Sequence, residues 1–340
     1  MIFLYKRVDF LFSKSTLFSL DIIKKIFILA DVGKNKYFCN VFSKKMPMEK
    51  YISVSQFAEK YGISERTVRN YCALGRIDGV LMIGKTWNIP YDAMLPKKNL
   101  KISPLLKRLR EEKGANVSGG IYHHTQIDFT YNSNHIEGSK LTKEQTRYIF
   151  ETNTLGVTTQ NTNIDDIIET INHFRCIDYI IDNAINKITE IHIKQLHSIL
   201  KTNTSDSRKS WFAVGDYKQI ANEVGGAQTT LPKDVHKQIK QLIKGYNDLK
   251  EITFDDILDF HVSFERIHPF QDGNGRVGRL LMFWQCLQNN IPPFIITEEL
   301  RLYYYRGLQK WEEVNGYLKD TCLTAQDNYK ILLDYFQIKY

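Results

Sequence analysis

Cysteine is scarce in this chain of 340 residues, and its five copies are scattered along the sequence. No two of them form a C-x-x-C pair, so the ligand spacing of a structural zinc site is missing. An odd number of distant cysteines also does not suit a disulfide framework. These absences indicate a reducing compartment, and we expect a cytoplasmic protein. The five are Cys39, Cys72, Cys176, Cys286 and Cys322.

Long apolar runs are missing from the first 47 residues, although these are rich in Phe, Ile and Lys. Between residues 7 and 31 the longest uncharged stretch is residues 15–20, which is too short for a secretory signal or a membrane span. We therefore expect no membrane partner. Because Met46-Pro-Met48 directly precedes a patterned region, we interpret residues 1–47 as an over-extended reading frame with a natural start at Met46 or Met48.

Positive charge is concentrated at the front of the chain. The formal net charge of +8 divides into +6 for residues 1–48, +6 for residues 49–113 and −4 for residues 114–340. A basic front on a mildly acidic body indicates an anionic partner for the front, most simply nucleic acid. The hydrophobic fraction of 43% supports a sizeable core and, at this length, two domains.

One stretch of twelve residues, His268-Pro-Phe-Gln-Asp-Gly-Asn-Gly-Arg-Val-Gly-Arg279, holds the densest group of chemically active side chains. Gly273 and Gly275 can adopt positive φ and turn successive backbone N–H groups inward, which forms an anion-binding concavity. Helical spacing of apolar and polar residues follows from Arg276. The concavity should therefore open onto a helix N-terminus, which favours phosphate.

The side chains of this stretch suit a nucleoside triphosphate. Arg276 and Arg279 lie three residues apart on one helix face, as a fork for phosphate oxygens. Asp272 suits Mg²⁺, and His268 is the natural general base near neutral pH. Each residue alone is more often structural, so the prediction depends on their joint occurrence.

The stretch resembles the signature of the Fic family, His-x-Phe-x-(Asp/Glu)-Gly-Asn-Gly-Arg-x-x-Arg, and fills every specified position. The resemblance covers roughly residues 120–335 and implies an all-α enzyme that transfers AMP from ATP to a hydroxyl side chain of a target protein or of itself. It implies that His268 deprotonates the hydroxyl, that Phe270 is buried and anchors the loop, and that Asp272 holds Mg²⁺. The implied phosphate contacts are Gly273, Asn274, Gly275, Arg276 and Arg279.

The helix that precedes the signature should begin after Thr253 as its N-cap. Pro269 biases His268 away from the α conformation, so the chain should leave this helix at the candidate base. His261, one heptad earlier, competes as a base. Since neither a carboxylate nor a glycine loop lies beside it, we interpret it as a packing or capping residue.

A second stretch, Ser133-Asn-His-Ile-Glu137-Gly138, resembles the family's inhibitory motif (Ser/Thr)-x-x-x-Glu-(Gly/Asn). The resemblance implies that Glu137 pairs with Arg279 and displaces the γ-phosphate of ATP, so that the α-phosphorus is poorly aligned. A carboxylate that competes with phosphate for one guanidinium is electrostatically reasonable. The alternative is a plain helix end with Gly138 as its cap.

Residues 222–232 combine glycines with β-branched residues and predict a short hairpin. Fic proteins carry such a flap beside the active site, and the resemblance implies that a target segment adds to it as an edge strand. A surface loop is the alternative. Gly215-Asp-Tyr-Lys218 resembles a family stretch of Gly-x-Tyr-Arg type, with no role assigned to Lys218. The flap residues are Val224, Gly225, Gly226, Ala227, Gln228, Thr229 and Thr230.

Residues 51–62 and 63–75 predict two short helices joined through a glycine, and residues 80–89 predict a hairpin around Gly84-Lys85. This pattern resembles excisionase-type and MerR-type winged helix-turn-helix domains, which implies DNA contacts by Arg66, Arg69 and Lys85. The alternative is a degenerate domain used for protein contacts or for a homodimer.

The predicted fold class is mainly α. We expect a small winged helix-turn-helix domain over residues 48–96, a linker over residues 97–120 and an all-α Fic domain with a β-hairpin flap over residues 121–340. In the Fic domain, helical periodicity covers residues 164–183, 190–201, 234–249, 253–267, 276–289 and 297–313. In the helix predicted over residues 297–313, Tyr304 or Tyr305 is a candidate wall of an adenine pocket, although packing is the commoner role.

Three functions remain open at this point. The first is an ATP-dependent protein adenylyltransferase restrained by Glu137. The second is a transcriptional regulator whose Fic domain senses nucleotide, although an intact set of catalytic residues argues against it. The third is a Fic enzyme that transfers another group or removes AMP.

Overall fold

The computed structural model describes residues 51–73, 75–96, 102–156 and 161–340. The chain divides into two compact units, residues 1–99 and residues 100–340. Residues 1–47, which we interpreted as an over-extended start, lie outside the described part. Among the described residues, no helix combines the length and the apolar character that a membrane crossing needs.

The N-terminal unit begins with strand β1 (Tyr51–Ser53), which leads directly into α1 (Val54–Tyr61) and then α2 (Glu65–Ala73). The expectation that residues 51–53 are helical is wrong. Ser53 must be extended to cap α1, where its hydroxyl accepts from the N–H of Gln56 at 3.2 Å. Gly62 ends α1 in the left-handed conformation, as the glycine turn predicted.

Strands β2 (Leu81–Ile83) and β3 (Thr86–Pro90) form the predicted hairpin, with Gly84 and Lys85 at its turn. The sheet order is β1-β3-β2, and β2 lies at an edge. The two helices and the hairpin are elements that the sequence predicts, and β1 is not. That the unit is a winged helix-turn-helix domain and binds DNA stays a prediction. The buried side chains come from both helices and β3 and include Phe57, Val68, Cys72 and Ile89.

Over its described residues, the C-terminal unit consists of helices and connecting loops with one small hairpin, in agreement with the mainly α class. The hairpin pairs β4 (Glu223–Val224) with β5 (Ala227–Gln228). The helices are α3 (Pro104–Ala115), α4 (Ile121–Ile136), α5 (Lys143–Thr152), α6 (Ile164–Asn183), α7 (Glu190–Lys201), α8 (Pro232–Asp248), α9 (Phe254–Ile267), α10 (Asn274–Asn289), α11 (Arg301–Gln309) and α12 (Gly316–Tyr335).

Helix α10 lies at the centre of this unit. It is buried on every side over most of its length, as expected for the central helix of a bundle. Trp284 and Leu280 are fully buried in one large apolar cluster, and Met282 and Cys286 belong to a second cluster on another face. Because the signature forms the start of α10, the candidate site is built on the most completely packed helix.

Two boundaries differ from the expectation. Of the predicted linker, residues 102–120 belong to the helical unit, because α3 buries Leu105, Leu106 and Leu109 in its main core. The helix predicted over residues 297–313 is also interrupted. It begins as a 3₁₀ turn (Glu298–Leu300), and α11 ends at Gln309, after which a turn leads into α12.

Candidate active site

Helix α9 places the candidate base. Thr253 and Asp256 form a capping box at its start, as the predicted N-cap requires. The helix ends at Ile267, and His268 takes the left-handed conformation with φ 48° while its N–H still donates to the carbonyl of Phe264 at 2.9 Å. A non-glycine residue held in this region stores strain, which is common at functional sites. His268 therefore leaves the helix in a fixed direction.

The loop after His268 is held by a buried aromatic side chain and by side-chain hydrogen bonds within the loop. Phe270 is fully buried, as expected, and stacks on the ring of His197 at 3.9 Å with only 5° between the planes. The side chain of Asn274 accepts from the N–H of Phe270 and donates to its carbonyl, both at 2.8 Å. The amide group of Asn274 therefore shapes the loop, and a phosphate contact by this side chain stays a prediction.

The two glycines of the signature have different roles. Gly273 is the N-cap of α10 with φ 81°, in the conformation expected for it. Gly275 is already helical, because α10 begins at Asn274 and not at Arg276, so the expected positive φ is wrong there. The first backbone N–H groups of α10 remain without intrahelical partners and can receive an anion.

Arg279 contacts both predicted inhibitory residues, Ser133 and Glu137. The guanidinium of Arg279 donates to Glu137 Oε1 at 2.7 Å, to Ser133 Oγ at 3.1 Å and to the carbonyl of Ser133 at 2.9 Å. Arg279 is buried, and Glu137 lies at the C-terminal end of α4 with its side chain 30% exposed. Burial alone would lower the pKa of Arg279, but the charge of Glu137 outweighs it and raises the pKa. The pair is therefore charged and tightly held.

The lack of a side chain at Gly275 leaves room for this close approach of Glu137. A Cβ atom added there would lie 2.3 Å from Glu137 Oε1 and 3.0 Å from an amino group of Arg279. The carboxylate thus lies directly over the first turn of α10, where the signature predicts phosphate. At this site Glu137 and an anionic ligand would occupy neighbouring space.

Arg276 belongs to a second charged network. Its guanidinium pairs with the carboxylate of Glu169 on α6 and lies 3.3 Å from Asp272 Oδ2. Lys201, buried at the end of α7, donates to Glu169 at 2.6 Å, to Asp206 at 2.9 Å and to Asp272 at 2.7 Å. Two buried cations therefore alternate with three carboxylates beside residues 272–276, the loop end and first turn of α10, which we call the cradle.

The electrostatics suit a neutral base beside an ionised acid. Burial, followed by the nearby charge of Lys218, lowers the pKa of His268 to about 4, so its imidazole is neutral at neutral pH. Burial would raise the pKa of Asp272, but Arg276 and Lys201 outweigh it and lower the pKa to about 2.

His261 is fully buried, and its Nε2 lies 2.7 Å from the hydroxyl of Tyr304, which agrees with a packing role.

Tyr304 is not an open wall of a pocket, because it is buried against His261. Tyr305 is 43% exposed and donates from its hydroxyl to the carbonyl of Ile136 at 3.3 Å, next to Glu137. Of the two candidates for an adenine wall, Tyr305 alone faces solvent.

The donor set at Asp272 suits Mg²⁺ that arrives with phosphates. Its carboxylate is half exposed, but one oxygen is already engaged by Lys201 and Arg276. Among the described residues, no group of three or more His, Cys, Asp or Glu side chains could hold a metal ion by itself. A Mg²⁺ ion that takes most ligands from water and phosphate fits this arrangement, whereas a resident metal does not.

The flap is present as a two-residue ladder. Gly225 and Gly226 form its turn with φ 57° and 81°, and Val224 is 48% exposed. At the base of the flap, Thr229 donates from its hydroxyl to Oδ1 of Asn222 at 2.6 Å, and Thr230 donates to Gln238 at 2.8 Å. The edge of this hairpin is exposed, which leaves it free to pair with another strand.

Several residues of the site were missed by sequence reasoning. Lys201, Glu169 and His197 come from α6 and α7, and each looks like an ordinary member of an amphipathic helix. Lys218 was noted without a role, and its ammonium is buried beside the flap. A buried charge inside a helical pattern would have been the only available signal.

Residues 187–286 match the Fic/DOC family. Over 196 residues the chain is 27% identical to the protein adenylyltransferase fic-1 of Caenorhabditis elegans, a match that covers 54% of this chain and 36% of the relative. A match to the protein adenylyltransferase Fic of Drosophila melanogaster is 29% identical over 189 residues and covers 53% and 36%. The chain thus aligns with little more than a third of the length of these relatives.

Two solved structures share the fold. A Fic-domain-containing signalling protein from Bacteroides thetaiotaomicron aligns with a TM-score of 0.50 and 25% identity, over 68% of this chain and 90% of that one. Residues 134–508 of Fic-1 from Caenorhabditis elegans align with a TM-score of 0.54 and 20% identity, over 68% and 72%. The C-terminal unit therefore has the fold of Fic proteins and carries, over residues 187–286, a segment similar to the Fic/DOC family.

Proposed function

We propose that the protein is an adenylyltransferase that moves AMP from ATP to a hydroxyl side chain of a target protein or of itself. One observation carries this proposal. A neutral, partly buried histidine is held in a fixed loop beside a helix N-terminus that bears two buried arginines and an ionised aspartate. This is an arrangement for binding a polyphosphate and accepting one proton. The names of the relatives support the same reaction class.

In the proposed reaction, the target hydroxyl oxygen attacks the α-phosphorus of ATP. A new oxygen–phosphorus bond forms, the bond from the α-phosphorus to the bridging oxygen breaks, and pyrophosphate leaves. The hydroxyl proton passes to the imidazole of His268. The N–H groups of α10, with Arg276 and Arg279, offset the negative charge at phosphorus. When bound, Mg²⁺ would neutralise phosphate charge from the side of Asp272.

Glu137 supplies the proposed restraint on this reaction. It takes up the guanidinium of Arg279 and lies over Gly275, where the phosphates should bind. ATP must then either displace the carboxylate or bind with its γ-phosphate elsewhere, and the second arrangement misaligns the α-phosphorus. Removal of this one carboxylate should release the enzyme.

The hairpin over residues 224–230, in which Val224 and Gln228 are exposed, is the proposed docking edge for the target. Docking through main-chain hydrogen bonds aligns a hydroxyl near His268 without reading much of the target sequence. For the N-terminal unit we propose DNA binding. Arg66 and Lys85 are exposed, and Arg69 is exposed but paired with Glu65 at 2.6 Å.

The decisive experiment follows label from α-³²P-ATP with Mg²⁺ in the wild type, Glu137→Gly and Glu137→Gly/His268→Ala. We expect weak labelling in the wild type, strong labelling in the single variant and none in the double variant. ATP binding by the double variant, measured by calorimetry, controls for folding of the cradle. Absence of label in all three proteins, with ATP bound, would refute adenylyl transfer; equal label in the two variants would refute His268 as the base.

A further inference from the structure

Lys218 is a buried lysine without a counter-charge among the described residues. Its side chain is almost fully buried, and its ammonium donates to Asn222 Oδ1 at 2.6 Å, to Thr229 Oγ1 at 2.6 Å and to the carbonyl of Ile267 at 3.5 Å. All three acceptors are neutral. Burial lowers the pKa of Lys218 to about 8. Because burial of an ammonium destabilises the folded state, an apolar side chain at this position would give a more stable fold.

The three acceptors belong to two different parts of the site. Asn222 and Thr229 flank the β4–β5 hairpin, and they also bond to each other through the N–H of Thr229 and the carbonyl of Asn222 at 3.3 Å. Ile267 is the last residue of α9, directly before His268. One ammonium therefore connects the base of the hairpin to the end of the helix that places the candidate base.

Two further hydrogen bonds connect the segment that leads into the hairpin with the loop after His268. The N–H of Lys218 donates to the carbonyl of Pro269 at 2.9 Å. The side-chain amide of Asn222 donates to the carbonyl of Phe270 at 3.2 Å. The carbonyls of residues 267, 269 and 270, on either side of His268, thus each accept a hydrogen bond from Lys218 or Asn222.

We propose that Lys218 is a positioning residue that fixes the β4–β5 hairpin to the Ile267–Phe270 segment, so that a target strand on the hairpin presents its hydroxyl to His268. This inference rests on the proposed transfer reaction. An ammonium suits the task because it offers three donors to three separate neutral acceptors. Lys218 does not touch the reacting groups and acts through the hairpin and the loop.

The first test needs no activity. Hydrogen exchange of backbone amides is measured in the nucleotide-free full chain for the wild type and Lys218→Met, which keeps the length of the side chain without its charge. We expect residues 220–229 to exchange about tenfold faster or more in the variant, because their tie to the loop is lost, while α6 and α8 keep their protection. Unchanged exchange over residues 220–229 would overturn the proposal.

Two matched variants guard this test. Lys194→Met removes an ammonium that pairs with Asp216 at 2.9 Å in the same region but does not contact the hairpin, so it should leave residues 220–229 unchanged. Thr229→Val removes one acceptor of Lys218, together with the hydrogen bonds from that hydroxyl to Asn222, and keeps Lys218. If Lys218→Met does not fold, Thr229→Val should still speed amide exchange over residues 220–229. Unchanged exchange in that variant would contradict the proposal.

The second test separates positioning from simple stability. In the Glu137→Gly background, transfer is measured to a purified His268→Ala copy of the chain as acceptor. We expect Lys218→Met to lower kcat/KM for the acceptor by about 10- to 100-fold, as for a misplaced reacting group, with KM for ATP unchanged. Lys218→Arg, which keeps charge and donors, should restore most of the rate. An equal loss in the arginine variant, or a rise in KM for ATP alone, contradicts the proposal.

The two tests fail in different ways. If Glu137→Gly itself transfers no label, the proposed reaction is wrong, and the exchange experiment still decides whether Lys218 holds the hairpin. If transfer is normal and the exchange pattern does not change, the reaction stands and the positioning role is lost.

Discussion

Both arginines at the start of α10 are buried and already paired with carboxylates from other helices. Arg279 meets Glu137 from the end of α4, and Arg276 meets Glu169 from α6. A buried guanidinium without a counter-charge is costly, so these carboxylates keep the cradle folded in the absence of nucleotide. In the proposed reaction, phosphate would have to compete with these carboxylates for the two guanidinium groups. We therefore expect the affinity for ATP to depend on how readily Glu137 and Glu169 release the arginines.

The low pKa of His268 gives a pH prediction. Since burial and Lys218 lower this pKa from 6.5 to about 4, transfer by Glu137→Gly should stay level from pH 8 to about 5 and fall only below that. Initial rates across this range, with circular dichroism at each pH, measure it. The same shift should make the fold less stable below pH 6.5, because the unfolded imidazole binds a proton that the folded one does not. A fall in rate centred at pH 6.5 would refute a base that is held neutral by its partly buried position.

Lys201 gives a stability prediction. Lys201→Met leaves Glu169, Asp206 and Asp272 facing one another around an apolar side chain, and we expect unfolding to need about 3–5 kcal/mol less free energy. Urea denaturation at neutral pH measures this difference. Lys209→Met is the matched control, since Lys209 also pairs with Asp206 but is 45% exposed and should contribute about 0–1 kcal/mol. Equal losses in the two variants would show that burial of Lys201 is not the cause.

At the scale of elements, local signals account for the helices that were predicted well. Helices α6 and α7 begin and end where the sequence predicts, and the side chains of Asn163 and Thr189 cap their first turns. The errors arise where packing decides. Residues 310–313 belong to a predicted helix, yet they form part of the turn between α11 and α12. Burial of α3 likewise depends on contacts with distant helices, which spacing does not encode.

The contact between α11 and α12 supplies a prediction about packing. A Cβ at Gly307 would lie 2.6 Å from the Cα of Leu318, so Gly307→Ala should destabilise the fold by about 1–3 kcal/mol although alanine favours helices. Gly245→Ala in α8 is the matched control. Nothing lies within 4 Å of its added Cβ, and it should stabilise the fold by about 0.5–1 kcal/mol. Thermal unfolding of both variants checks the pair, and a stabilising Gly307→Ala would show that α11 can move away from α12.

At the scale of the whole molecule, the sequence predicted the loop of the site better than its surroundings. The twelve residues of the signature lie in one stretch, so their grouping is local. The pair of Arg279 and Glu137 spans 142 positions and was expected only because of the family resemblance. Lys201 and Asp272 are 71 positions apart, and no motif joins them. Burial of like and unlike charges together is a property of the folded chain, which a single sequence does not display.

The uneven charge of the chain leads to a prediction about the N-terminal unit. If its basic residues contact phosphates, affinity of the full chain for duplex DNA should fall steeply with salt, and Arg66→Ala/Arg69→Ala should reduce the slope of log K against log [salt] by about one per lost contact. Fluorescence anisotropy with labelled duplexes measures both. Lys244→Ala, an exposed change in α8, should have no effect.

Strand β2 exposes Leu81, Met82 and Ile83 at the sheet edge, which suits a protein contact better than a phosphate backbone. Absence of any salt-dependent binding would therefore assign the unit to contacts with protein.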